Sequence, residues 1–95
     1  MQFHSSRKLI VSADVLSQEV KGETVLLDLA SEQYFGLDAV GTRVWQLLGE
    51  GKPLDELLFI LLEEYDVERE RLESDISDLL SRLIAAGLIA LESET

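Results

Sequence analysis

The 95-residue chain is 46% hydrophobic, has no cysteine and carries a formal net charge of −11, so it holds the material for one hydrophobic core and excludes disulfides and thiolate metal sites. Its negative charge repels nucleic-acid phosphates and anionic lipid at long range, leaving neither as a natural partner. Arg7 and Lys8 near the start precede no long apolar run, unlike a secretory signal, and the apolar run at 57–62 is too short to span a bilayer. A single domain in the reducing cytoplasm is expected.

Three strand-like segments come first, at 15–20, 24–29 and 33–37, separated by Lys21-Gly22-Glu23 and Ala30-Ser31-Glu32. Two tight turns between three short segments predict an antiparallel meander. In the second segment Val25, Leu27 and Leu29 alternate with Leu26 and Asp28, and in the third Phe35 and Leu37 alternate with Tyr34 and Gly36. Each strand therefore offers one face to a core.

From Asp38 the period becomes helical, with Val40, Val44, Leu47 and Leu48 on one side, Asp38 as cap and Gly49 and Gly51 as stops. Trp45 falls inside this helix as a packing residue. Pro53 suits the first turn of a second helix running to about Tyr65, and a short linker follows at 66–68. A third helix repeats Leu72, Ile76, Leu79, Leu80, Leu83 and Ile84 and ends at Gly87, after which Leu88 can fold back on the last turn. The expected fold class is α+β, winged helix-turn-helix-like, with an N-terminal three-stranded antiparallel sheet followed by three helices.

Catalytic machinery is not visible in this sequence. The one histidine, His4, has no metal-ligand partners at suitable spacing, and the six glycines are scattered over turns and helix ends instead of forming a phosphate loop. The many carboxylates, among them Glu70, Glu73, Asp75 and Asp78 beside Arg69, Arg71 and Arg82, have the pattern of a solvated helix face. That same face opposes docking of the third helix to DNA. No enzyme activity, cofactor or metal is expected.

If the strands pair in chain order, Gln33, Tyr34, Phe35, Gly36 and Leu37 form an edge strand with no proline, lysine or other charge to block it. Gly36 either permits another backbone to approach or marks a bulge, with Tyr34 and Phe35 as ordinary packing residues. In the second helix Leu54, Leu57, Leu58, Leu61 and Tyr65 complete an inner face, which leaves Phe59 and Ile60 as a partner contact unless other elements cover them.

The run Leu26-Leu27-Asp28, then Tyr34-Phe35-Gly36-Leu37-Asp38, Gly41 and Val44-Trp45-Gln46-Leu47-Leu48, resembles the PqqD-like family of recognition elements for ribosomally made, modified peptides. Asp75 in a Leu-rich helix and the tail Ala85-Ala86-Gly87-Leu88-Ile89 continue the resemblance, which covers about residues 9–91 of a single domain spanning 1–95. Asp38 departs from the asparagine that the family pattern favours, but either residue caps a helix. The chain's size is similar to the discrete elements of lasso peptide gene clusters.

The resemblance implies that the leader of a precursor peptide is bound as an added strand between the third strand and the third helix. Under it Tyr34, Asp75, Leu79 and Arg82 become candidates for selectivity; the third-helix residues are otherwise core (Leu79) or solvated surface (Asp75, Arg82). It also implies work beside a cysteine-protease-like leader peptidase and then a cyclase. Two alternatives are a PqqD-type chaperone for the precursor of pyrroloquinoline quinone and, from another class, a winged-helix DNA-binding regulator.

Overall fold

The computed structural model describes residues 8–91, which leaves His4 outside it. A short strand, β1 (Leu9–Val11), is followed by β2 (Val15–Val20). Lys21 and Gly22 both take positive φ, 54° and 82°, the two-residue turn whose twist suits an antiparallel hairpin. It leads into β3 (Glu23–Asp28), with Val20 set opposite Glu23 and Val15 opposite Asp28.

β3 stops at Asp28, one residue earlier than the sequence suggests. Leu29 N–H bonds instead to the Asp14 carbonyl, and the Asp28 carboxylate accepts from Ala30 N–H at 3.1 Å and from the Ser31 hydroxyl at 2.8 Å. This turn delivers β4 (Gln33–Leu37), paired to β3 from Asp28–Gln33 through Thr24–Leu37. The meander runs β2-β3-β4, as the sequence predicts.

Three helices follow, α1 (Ala39–Gly49), α2 (Leu54–Glu64) and α3 (Arg69–Ala85); α1 packs on the sheet, and α2 and α3 pack against α1 and each other. The architecture is the expected α+β one. Pro53 caps α2 and does not enter it. At the end of α3, Gly87 takes a φ of 79°, so that Gly87 N–H reaches the Ile84 carbonyl and Leu88 N–H that of Leu83. This closure satisfies the last carbonyls and buries Leu88 against the helix it has just left.

Leu88 leads into β5 (Ile89–Leu91), which pairs antiparallel with β1 in a second, two-stranded sheet that the sequence reading does not anticipate. Leucines dominate the single core, with Leu26, Leu47, Leu57, Leu61 and Leu80 all fully enclosed.

In β3 the inward row is Thr24, Leu26 and Asp28, while Val25 and Leu29 remain exposed and Leu27 half-buried. The more apolar row thus lies on the solvent side of the sheet. On α2, Phe59 is 63% exposed, whereas Ile60 is half-covered and packs against the core. The two residues therefore do not form one exposed patch. Trp45 packs against the core as expected.

A bidentate pair ties α1 to α2: Arg43 Nε donates to Glu64 Oε1 at 2.8 Å and Nη2 to Oε2 at 2.7 Å. The hydrogen bond from Arg43 holds the Glu64 carboxyl below the usual carboxylate range. Because that value is depressed in the folded state, the stabilisation is present above the unfolded value and disappears as pH falls through the folded one. In Arg43→Gln, side-chain carbon NMR should find the Glu64 titration moved upward to the ordinary range; an unmoved titration would mean that the pair does not hold the carboxylate in solution.

Candidate functional site

The edge of β4 faces away from β3, and among the described residues no strand pairs with it. The chain passes from Leu37 straight into α1. Asp38 Oδ1 accepts from Gly41 N–H at 2.8 Å, capping the helix, and Thr42 N–H bonds to the Asp38 carbonyl at 2.7 Å. Gly41 is buried here, where an added Cβ would lie 3.2 Å from Leu37 Cβ and 3.3 Å from Asp38 Oδ1. A tight strand-to-helix corner results, with glycine at the point of closest approach.

Beside this corner is a groove of about 820 Å³, bounded by the end of β4, the start of α1, the connection from α2 to α3, and one face of α3. That size falls in the range of sites that enclose sizeable ligands. Gly36, Leu37, Asp75, Leu79 and Arg82 all line it, so five of the residues named from sequence converge there.

Gln33, Tyr34 and Phe35 do not line the groove. Phe35 turns inward and is half-buried against the core. Tyr34 is 70% exposed opposite Leu27, on the solvent face of the sheet, where Leu16 is 56% exposed opposite the same Leu27. The alternation of a strand decides this: with Leu37 buried, Phe35 shares its face and Tyr34 cannot. Only the backbone of Tyr34 remains available along the edge.

Val40, Tyr65, Val67, Arg71 and Asp78 also line the groove but were not singled out as site residues from sequence. One signal was present, since Arg71, Asp75, Asp78 and Arg82 are spaced four, three and four apart and so share a helix stripe. Tyr65 and Val67 gave no such signal, because a connection between helices has no period.

Asp38, Arg71, Asp75, Asp78 and Arg82 are the charged groups of the lining. Among the described residues no cluster of three metal-ligating side chains occurs. The site has the character of a mixed apolar and charged trough alongside backbone groups that no described strand pairs.

A model of the family described as coenzyme PQQ synthesis protein D (PqqD) matches residues 23–89, well over half of the chain. The chain belongs to the PqqD family. Two solved structures resemble this PqqD-family chain over nearly their whole length. One, TbiB1 in complex with the TbiA(beta) leader peptide, is 42% identical with a TM-score of 0.79, covering 84% of this chain and 93% of that one. The other, a lasso peptide synthetase B1 complexed with the leader peptide, is 26% identical with a TM-score of 0.77, covering 87% and 98%. No curated protein sequence matches the chain.

The matched span begins at β3 and ends in β5, so the corner and all the groove-lining residues fall inside it. Loss of the cap in Asp38→Ala should lower stability by about 1 kcal/mol, while Asp38→Asn should retain it. Urea unfolding of the two variants checks this; equal midpoints would remove the cap from its place at the corner.

Proposed function

We propose that this PqqD-family protein is a non-catalytic, cytoplasmic adaptor that captures the leader of a ribosomally made precursor peptide in lasso peptide biosynthesis. The observation that carries the reading is the groove beside an unpaired β4 edge, with Leu79 and the charged stripe of α3 as its far wall. The leader lies in it as an added strand. Likeness to two proteins solved with leader peptides supports this, and the 26%-identical one, a lasso peptide synthetase B1, favours the lasso pathway over pyrroloquinoline quinone synthesis.

Four or five main-chain hydrogen bonds to Gln33 through Leu37 contribute roughly 0.5–1.5 kcal/mol each. Such a sum barely offsets the ordering of a flexible peptide, so selectivity comes from the side-chain lining. Half-buried Leu79 offers apolar contact, and Asp75 and Arg82 meet charged residues.

The adaptor then serves a separate cysteine-protease-like leader peptidase and a cyclase by raising the local concentration of the bound substrate. This needs no reactive group of its own. The solvent face of the meander, where Leu16, Val25 and Tyr34 stand exposed beside Leu27, supports a protein partner there, since contiguous apolar surface of this kind marks interaction sites.

Titration with the leader of the precursor encoded beside this chain's gene should shift backbone amides of β4 and α3 in NMR spectra. Leu79→Asp should weaken that binding about tenfold or more while leaving the fold intact. Shifts confined to other elements, or unchanged affinity in a folded Leu79→Asp, would overturn the site.

Leu16→Glu should bind leader normally yet slow cleavage by the peptidase, measured as leader release over time. Full cleavage rates would take the sheet face out of the reading.

A further inference from the structure

Cations are scarce in a chain of net charge −11, and where they sit is informative. Arg43, Lys52 and Arg69 each lie within ion-pair distance of a glutamate, Glu64, Glu56 and Glu73 respectively. Among the described residues no carboxylate comes that close to Arg71 or Arg82. Both are exposed, and both line the groove.

Arg71 is also badly placed for its own helix. It is in the first turn of α3, where the helix dipole disfavours a positive charge. With no carboxylate among the described residues at ion-pair distance and an unfavourable dipole, Arg71 presents its charge to a ligand. Arg82, in the last turn, marks the opposite end of the same stripe.

Between them are Asp75 and Asp78, so the wall of α3 presents positive, negative, negative, positive in chain order. Asp38, the remaining charged lining group, is engaged in capping α1. The pattern is nearly symmetric, so it reads the same whichever way a peptide strand runs. Eleven helical residues rise about 16 Å, the span of about five residues of extended chain. Side chains on one face of a strand recur every second residue, so the two ends correspond to peptide positions four or six apart.

We infer that the groove selects an extended peptide segment whose wall-facing side chains run acidic, basic, acidic, with the carboxylates four or six residues apart, held by Arg71 and Arg82, around a Lys or Arg that meets Asp75 and Asp78. This rests on the peptide-binding reading above and adds the charge order of the ligand. The long-range field favours any basic peptide, but it is screened within about 8 Å at physiological salt. At contact distance the two arginines reject a uniformly basic segment. Order, more than net charge, is what the groove discriminates.

The test uses a displayed library of random 14-residue peptides selected on the full chain and, in parallel, on Arg71→Glu. That variant places a favourable charge in the first turn of α3, so it should fold at least as well as the parent. The parent should enrich carboxylates four or six apart flanking Lys or Arg, and the Arg71→Glu pool should exchange one carboxylate for a basic residue. Peptides selected on the parent should bind Arg71→Glu about 3- to 10-fold more weakly and regain affinity when the matching acid is changed to lysine. Enriched peptides that shift β4 and α3 amides but show no charge order, and lose nothing on Arg71→Glu, overturn this inference and leave the peptide groove standing. Selection of no peptide, or of peptides that map away from β4, overturns both.

Discussion

Everything about the site depends on how abruptly the chain turns from β4 into α1. Leu37 is the last strand residue, Asp38 the cap and Gly41 the point of contact, so no loop intervenes. A longer connection would have had slack to fold over the strand and occupy its hydrogen-bonding groups, as covered edges do elsewhere. With none, the β4 edge is left unpaired among the described residues, and the start of α1 becomes the floor of the groove. The same corner sends α1 under the sheet, where Val44, Leu47 and Leu48 meet Leu26 and the helices behind them.

The sheet that results is apolar on both sides. Its inner row is sealed by the helices, and its outer row, with Leu16, Val25 and Tyr34, is not. A sheet of this kind offers two separate surfaces, its β4 margin and its apolar flat face. A guest strand added to β4 would extend the flat face sideways, next to Tyr34.

The sequence was legible where a repeat had a period. The three meander strands, the helices and the β4 edge all followed from alternation and spacing. The orientation of β3 was misleading, because Val25, Leu27 and Leu29 look more like a core row than Thr24, Leu26 and Asp28. Asp28 can turn inward because Ala30 N–H and the Ser31 hydroxyl satisfy its oxygens, a local compensation that counting apolar residues cannot see. β1 and β5 were missed for a different reason: three residues each are too few to show a period, and their partners are about eighty positions apart. At the groove, Asp75, Leu79 and Arg82 were reached through the family resemblance, helical spacing showing only that they share a flank of α3, whereas Tyr65 and Val67 depend on how the connection after α2 happens to bend.

That small second sheet does more than close the core. Leu9 faces Leu91 across it, which holds the two extremities of the folded unit about 5 Å apart. A unit with adjoining extremities can be spliced into a host polypeptide at a single point, or rewired so that the chain opens instead at the Lys21-Gly22 hairpin, with little disturbance to the interior.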